Sequence, residues 1–394
     1  LLYGAIRMQG RHDYILGQVF DRPIAELDAG IVDICRLGVH QLFEMRVATH
    51  AAVSATVELA RKAIGESKAS YVNAILRKVS AQDLSYWLAP AQEIADDISR
   101  LSIIHSHPEW IVSAYFDLLK DIEKVEAELI ANNTPAQPTL VSWPGLSTQE
   151  DLIALGGVAT PFSPYGAKVD SPPASIELIR HRQAGVQDEG SQLVAHIFSL
   201  AAHGSERILD LCAGPGGKAA LLSSIARESG RLFIANEVSE ARAALVKKVV
   251  KGAQVWVGDG RKVAEHGESF DAVLVDAPCT GLGALRRRPE VRWRRTLQDL
   301  RALTQLQREL VESAIEALNP GGVLGYATCS PHLAETSIQV SDIKKNHPDL
   351  HQIPVDEYLP ASLDGATRDG AMSLWTHKHG TDAMYLALFR KENG

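Results

Sequence analysis

Arg207-Ile-Leu-Asp-Leu-Cys-Ala-Gly-Pro-Gly-Gly-Lys218 is the stretch on which the fold turns. Arg207 to Leu211 is a short apolar run of strand type, and Lys218 to Ala226 continues at helical spacing. A glycine-rich turn between a strand and a helix lets backbone approach a ligand and presents the positive end of the helix to it. A tight structural turn would use the same residues, so the loop alone identifies no ligand. It matches neither G-x-x-x-x-G-K-[ST] nor a regular G-x-G-x-x-G, so neither a triphosphate nor a dinucleotide is favoured.

Downstream the strand–helix alternation repeats. Arg231 to Ala235 reads as a strand, Ser239 to Val250 as a helix and Gln254 to Val257 as a strand. Asp271 to Val275 is a strand that enters Asp276-Ala-Pro-Cys279. Leu297 to Leu318 is a long helix stopped by Asn319-Pro-Gly-Gly322, and Val323 to Ala327 is a strand entering Thr328-Cys-Ser330. Met372 to Trp375 and Ala383 to Phe389 form a closing hairpin. This pattern predicts a mostly parallel sheet with helices on both faces and ligands at the carboxyl ends of its strands. Glu237 ends the second strand, about 20 residues past the last glycine, where doubly wound folds hold a ribose. Asp259, within Gly258-Asp-Gly260, ends the third and is placed to reach an adenine amino group. Each acid alone is more simply a cap or a surface residue, but three strand ends together make a nucleoside pocket. No Lys-Ser/Thr pair is present to hold a polyphosphate. S-adenosylmethionine fits such a pocket.

Upstream the pattern is helical. Ile31, Ile34 and Leu37, then Val53, Val57 and Ile64, then Val72, Ile75 and Val79 recur at helical spacing, with Ser70 as the N-cap of the third run. Trp110 to Ile130 is a fourth helix entered after Pro108. Seven of the chain's 18 prolines lie in residues 135–173, which marks loop and short extended structure. Within it Thr139 to Trp143 alternates and Thr148 to Leu155 is helical. The expected organisation is therefore a helical bundle over 1–134, a proline-rich linker with a small α/β subdomain over 135–187, and a Rossmann-like α/β domain over 188–394.

Composition narrows the class. At 394 residues, 45% hydrophobic and 22% charged, the chain is a multidomain globular protein. No run of about 18 apolar residues is present to span a membrane, and no secretory signal opens the chain. Four cysteines in this length imply a reducing compartment, and cytoplasmic location is the expectation. The net charge of −8 excludes a generic polyanion binder, yet the charge is unevenly spread. Residues 79–135 hold ten acids against three bases, whereas Arg286 to Arg295 holds six arginines and one glutamate.

The cysteines divide into two kinds. Cys35 falls within a helix and Cys212 within the glycine loop, and both read as small buried hydrophobes. No C-x-x-C spacing or accompanying histidine supports a metal site, and none is expected. Cys279 and Cys329 each follow a strand and stand beside polar residues at the ligand-facing edge. A thiolate beside a methyl donor points to pyrimidine chemistry: carbon 5 becomes nucleophilic only after addition at carbon 6, and a cysteine can make that addition.

LDLCAGPGGK (209–218), VDAPCTGLGALRRRPEVRW (275–293) and YATCSP (326–331) resemble the RNA cytosine-C5 methyltransferases of the RsmB (Sun/Fmu) group in the NOL1/NOP2/Sun family. HAAVSATVELA (50–60) and YVNAILRKVS (71–80) resemble that group's NusB-like N-terminal domain, and GVQDEGSQLVA (185–195) the entry to its catalytic domain. The matches span nearly the whole chain, and the sequence has an actinobacterial flavour. Relatives carry a helical stretch before Leu1, so the bundle is read as N-terminally truncated. Many relatives have aspartate where Asn236-Glu237 stands.

The resemblance implies a set of roles. Cys329 is the nucleophile, and Cys279 assists release of the methylated product. Asp276 contacts N3 and the methionine end of the donor, and Lys218 orients Asp276 or the substrate. Cys212, Ala213, Gly214, Pro215, Gly216, Gly217 and Lys218 cradle the donor, with Glu237 on the ribose and Asp259 near the adenine. Arg286, Arg287, Arg288, Arg292 and Trp293 read as phosphate contacts and a stacking surface for RNA, against the alternative of a solvated charged loop. The target base must leave its stack to be attacked. The implied substrate is 16S ribosomal RNA, naked or in early assembly particles, and the enzyme a monomer. A transfer-RNA cytosine methyltransferase and a non-catalytic assembly factor are the alternatives; the paired cysteines disfavour the latter. A DNA cytosine methyltransferase would use the Pro-Cys cysteine and leave the second unexplained.

Overall fold

Four aspartates set helix starts in the N-terminal part of the chain. The side chains of Asp28, Asp83, Asp96 and Asp121 accept from backbone N–H groups that open Ala29–Phe43, Leu84–Gln92, Asp97–Ile104 and Ile122–Asn133. Those donors have no partner within a first turn, which is why an acid there is favourable. The computed structural model describes residues 1–393, and the chain divides into two compact units. The first holds Leu1–Thr134 together with Leu285–Arg294, and the second holds the remainder.

In the first unit the predicted apolar faces meet. Ile31, Ile34, Cys35, Val39, Val72, Ile75, Leu76 and Val79 form one buried cluster. Burial pushes the Cys35 thiol up to about 12, so it packs as a small hydrophobe. Two expectations are corrected. Ser70 does not cap a helix: it lies inside Glu66–Val79 and its hydroxyl donates to the Glu66 carbonyl. The run Trp110 to Ile130 is two helices, Glu109–Leu119 and Ile122–Asn133, because Lys120 adopts φ 51° and Asp121 starts a new one.

The larger correction concerns Arg292 and Trp293, which were expected to face RNA. Residues 285–294 pack with the helical unit, and Arg292 is 0% exposed. Its guanidinium donates to the carbonyls of Arg7 (3.3 Å), Ser106 (3.0 Å) and Asn132 (3.2 Å) and to Asn133 Oδ1 (2.8 Å). These acceptors lie at or just beyond the C-termini of Leu2–Arg7, Asp97–Ile104 and Ile122–Asn133. Helix C-termini leave carbonyls unpaired and carry partial negative charge, so one buried cation serves three of them. Trp293 donates its indole N–H to the Ile6 carbonyl at 2.6 Å, and a Cβ at Gly10 would lie 2.6 Å from its ring. Arg287 and Arg288 remain exposed, and Arg286 is half-buried.

The second unit opens with an antiparallel sheet of β1 (Thr139–Ser142), β2 (Val158–Ala159), β3 (Gly166–Lys168) and β4 (Ala184–Val186), ordered β2-β3-β1-β4. Helix Gln149–Ala154 begins in a reciprocal Thr148–Asp151 capping box and packs Leu152 against Leu140 and Ala167.

The main sheet contains β5 (Arg207–Asp210), β6 (Leu232–Glu237), β7 (Gln254–Val257), β8 (Phe270–Asp276), β9 (Leu318–Thr328), β10 (Leu350–Ile353), β11 (Thr367–Arg368), β12 (Ala371–Ser373) and β13 (Tyr385–Lys391). Its order is β11-β12-β13-β9-β8-β5-β6-β7, with β10 also paired to β13. β5 to β9 are mutually parallel, and β13 runs antiparallel to β9. The expected closing hairpin is the β12–β13 pair. Side chains alternate between two cores. Ile208, Phe233 and Leu274 meet Phe198 and Leu222 on one face. Leu209, Ile234, Val273 and Val275 meet Leu310, Ala314 and Val340 on the other. Burial on both faces explains why these strands read as continuous apolar runs. One boundary differs: the long helix ends at Glu316, and Asn319 to Gly322 form an irregularity within β9 rather than a separating turn.

Replacing Arg292 with alanine should therefore destabilise the helical unit by at least about 3 kcal/mol, because several buried carbonyls lose their donor. Arg288→Ala, at an exposed site, should stay within about 0.5 kcal/mol. Chemical denaturation of the whole chain compares the two; equal midpoints would remove the structural role given to Arg292.

Candidate active site

The site gathers at the carboxyl ends of the parallel strands and in the loops and helix starts that follow them. β5 ends at Asp210, and the loop from Leu211 leads into the helix Gly217–Glu228. Gly216 caps that helix at φ +117°, and a Cβ there would approach Val249 Cγ2 to 2.8 Å, so only glycine fits the turn. The loop is tied to β6. Gly214 N–H donates to Glu237 Oε2 at 3.0 Å, and Ser239 N–H donates to Glu237 Oε1 at 2.9 Å. Arg242 lies 3.5 Å from the same carboxylate and also donates to the Gly214 carbonyl.

Asn236 completes the brace. Its side-chain amide donates to the carbonyls of Leu211 (3.0 Å) and Gly258 (3.2 Å), and its backbone carbonyl accepts from Ala213 N–H at 2.9 Å. The ends of β5, β6 and β7 are thus joined by one side chain. Asp259 follows β7 and caps the 3₁₀ turn Gly260–His266. It pairs with Arg261 at 2.6 Å, which also reaches Glu309 and holds the Asp259 carboxyl below its usual range.

Charge concentrates on the other side of the loop. Lys218 Nζ donates to Asp276 Oδ2 at 2.9 Å. Burial alone would lower the Lys218 ammonium, but Asp276, Cys329 and Asp210 raise it above its ordinary value. Asp210 is fully buried, and neither carboxylate oxygen reaches a hydrogen-bond partner. Burial, with the charge of Asp276 added, pushes its carboxyl up to about 8. Burial likewise raises the Cys212 thiol well above its usual value. Cys212 is thus inert within the loop that carries it.

The two remaining cysteines follow adjacent strand ends because β8 and β9 are parallel neighbours with Asp276 opposite Ala327. Ala277 N–H donates to the Ala327 carbonyl at 2.8 Å, and Gly283 N–H to the Cys329 carbonyl at 3.0 Å. Amides of Gly281 and Cys329 point to the Cys279 sulfur. Burial, then the Glu335 carboxylate, push the Cys279 thiol up to about 12. Gly283 accepts from Ala383 N–H at 2.9 Å, and a Cβ there would lie 2.0 Å from the Ala383 carbonyl oxygen.

The structure thus brings together the glycine loop, Lys218, Glu237, Asp276, Cys279 and Cys329 in one unit, with Asp259 at the adjoining strand end. Sequence reading missed Arg242 and Glu335 and assigned no bracing role to Asn236. A short amide one residue before Glu237 was a legible signal for Asn236; Glu335 carried none. No group of three or more His, Cys, Asp or Glu among the described residues is arranged to hold a metal ion. No helix among them is long and apolar enough to cross a membrane.

Comparison with known proteins gives two family matches: 16S rRNA methyltransferase RsmB/F over residues 197–390 and the NusB family over residues 1–81. Rv1407 of Mycobacterium tuberculosis (strain H37Rv) is 41% identical over 401 residues, covering 99% of this chain and 87% of the relative. Ribosomal RNA small subunit methyltransferase B of Vibrio cholerae is 31% identical over 378 residues, covering 91% and 83%. Among solved structures, PH0851 superposes with a TM-score of 0.82 at 24% identity, over 99% of this chain and 88% of that one. A methyltransferase homologue from Pyrococcus horikoshii superposes with a TM-score of 0.63 at 22% identity, over 76% and 100%. These two likenesses show the fold.

Glu237→Ala would leave the Gly214 and Ser239 amides without an acceptor and remove the candidate ribose partner. Affinity for S-adenosylhomocysteine, measured by calorimetry, should fall by about 1–3 kcal/mol. An unchanged affinity would take Glu237 out of the nucleoside site.

Proposed function

Because the chain belongs to the 16S rRNA methyltransferase RsmB/F family, we propose that it methylates C5 of a cytosine in 16S ribosomal RNA through a covalent bond from Cys329 to C6. The observation that carries this reading is the pairing of Cys279 and Cys329 at adjacent strand ends beside the Lys218–Asp276 pair. One cysteine would suffice for addition to a base; two at adjacent strand ends suit a reaction that must both form and break a bond to the enzyme.

The residues also suit S-adenosylmethionine. Glu237 is buried at the strand end that faces a ribose, the glycine loop admits backbone approach, and Asp210 is an unpartnered buried acceptor beside it. Lys218 and Asp276 would hold the methionine end and the base. When bound, this donor supplies a methyl group on a sulfonium whose sulfur keeps the C–S electron pair.

The protein's part is the activation and release of the base. The Cys329 sulfur gives an electron pair to C6, forming the C6–S bond. The C5=C6 pair shifts to C4=C5, the C4=N3 pair moves onto N3, and N3 takes a proton from the Lys218–Asp276 pair. The C4=C5 pair then forms the bond from C5 to the methyl group, and the N3 pair restores C4=N3. Afterwards the C5 proton leaves to water, its C–H pair restores C5=C6, and the C6–S pair returns to Cys329 while N3 gives back its proton. Cys279 assists that release.

The electrostatics support this division of labour. Cys279 is held as a neutral thiol by burial and by Glu335, which disfavours it as the nucleophile near neutral pH. Cys329 lies close enough to Lys218 for the two to interact electrostatically.

The expected consequence is separable on a denaturing gel with labelled 16S ribosomal RNA and S-adenosylmethionine. Cys279→Ala should accumulate protein covalently joined to methylated RNA, and Cys329→Ala should give neither adduct nor product. The reverse pattern would make Cys279 the nucleophile.

For RNA contact, the reading retains the exposed Arg287 and Arg288 with the half-buried Arg286, and drops Arg292 and Trp293. Arg287→Ala with Arg288→Ala should weaken RNA binding and flatten its salt dependence by about 0.7 in slope per lost single-strand phosphate contact. An unchanged slope would mean these arginines are solvated surface.

A further inference from the structure

We propose that Glu335 is a positioning residue that sets the two cysteine loops against each other for bond formation and release. The inference rests on the reading that Cys279 and Cys329 act on one base. Glu335 is 0% exposed and lies in the 3₁₀ turn Leu333–Glu335, six residues past Cys329. Its Oε1 accepts from Thr280 N–H at 2.8 Å and from Gln307 Nε2 at 3.1 Å. Its Oε2 accepts from the Thr280 hydroxyl. Gln307 uses its other N–H on the Pro278 carbonyl at 2.9 Å. Pro278 and Thr280, the two neighbours of Cys279, are therefore both held from this one carboxylate.

The network continues to the other cysteine. Thr280 Oγ1 lies 3.1 Å from Ser330 Oγ, the side chain next to Cys329. The single Thr280 proton goes to the carboxylate, so Ser330 donates to Thr280 and accepts from His332 N–H at 3.2 Å. The Tyr326 hydroxyl, on β9, lies 2.8 Å from the Glu335 carbonyl oxygen. A buried charge supported by two donors from the Cys279 loop and one from the helix Leu297–Glu316, and bridged by a hydroxyl pair to the other loop, is expensive to disturb. The spacing of the two thiols is fixed by it. The same charge disfavours thiolate at Cys279. Glu335 touches neither reacting atom; it acts through Thr280, Gln307 and Ser330.

The test is Glu335→Gln, which keeps the shape and removes the charge. With the whole chain, protein-free 16S ribosomal RNA and S-adenosylmethionine, the turnover rate should fall at least about tenfold while KM for both substrates changes less than about twofold. Alkylation of Cys279 by iodoacetamide, followed by mass spectrometry, should shift to lower pH. Thr280→Val breaks the bridge and removes one donor from the carboxylate but keeps the carboxylate in place: it should slow turnover and move the alkylation profile less than Glu335→Gln does, and Thr280→Ser should restore the rate. In the double variant the rate losses should not add, as expected of one network. Wild-type turnover in Glu335→Gln, or an alkylation profile that does not move, would overturn the proposal. Should Glu335→Gln fail to fold, wild-type turnover in Thr280→Val, or no rescue by Thr280→Ser, would overturn it equally. The adduct pattern of the two cysteine variants is measured independently, so loss of the underlying reading and loss of this inference give different results.

Discussion

The register between β8 and β9 is the constraint on which the site depends. Two parallel strands in contact, with Asp276 opposite Ala327, deliver two loops of nearly equal depth to one sheet edge. Cys279 and Cys329 lie three and two residues beyond those partners. A slip of one residue would turn Val273, Val275 and Tyr326 toward the wrong core and carry the thiols apart. The two hydrophobic cores that flank the sheet therefore fix catalytic geometry as well as stability. The same logic extends across β5, β6 and β7, whose ends Asn236 ties together through three hydrogen bonds.

Holding charge at that edge has a cost that the chain accepts. Asp210 is unpartnered, and its carboxyl, shifted by burial and by Asp276, titrates at about 8. An unfolded aspartate ionises near 3.9, so this group favours folding less and less as pH rises from there toward about 8. A residue kept for packing would be replaced by a neutral one at no loss. A buried acid with unmet hydrogen-bond capacity, beside Lys218 and Asp276, is what a site awaiting a polar ligand group looks like.

Much of this was legible in the sequence because the relevant signals are local. Strand, glycine turn and helix follow each other within Arg207 to Lys218, and the continuous apolar runs announce strands buried on both faces. The acids and cysteines were found by their position after strands. What was not legible depends on distance in sequence. Glu335 meets Thr280 across 55 positions, and its sequence neighbourhood looks like an ordinary helix entry. The break at Lys120 depends on one residue adopting a left-handed conformation that apolar spacing cannot register. Ser70 was misread as a cap because hydroxyl residues serve equally well at helix starts and in back-bonds to the preceding turn.

The arginine run shows why charge pattern alone misleads. Arg286 to Arg295 contains side chains with opposite fates, and composition treats them alike. Arg292 faces inward because helix ends create a demand for donors that no local residue meets: three helices of the first unit end around its five N–H groups. Lysine could not serve as well, since its three donors radiate from one point and lack the planar fork that spans separate carbonyls. Arg287 and Arg288 are exposed, and Arg288 pairs with Glu290 at 3.4 Å. It follows that the helical unit is not a contiguous module. A chain cut after Thr134 would retain the helices but lose the cation that satisfies their ends, leaving Arg7, Ser106 and Asn132 with carbonyls whose partner lies more than 150 residues away in the sequence.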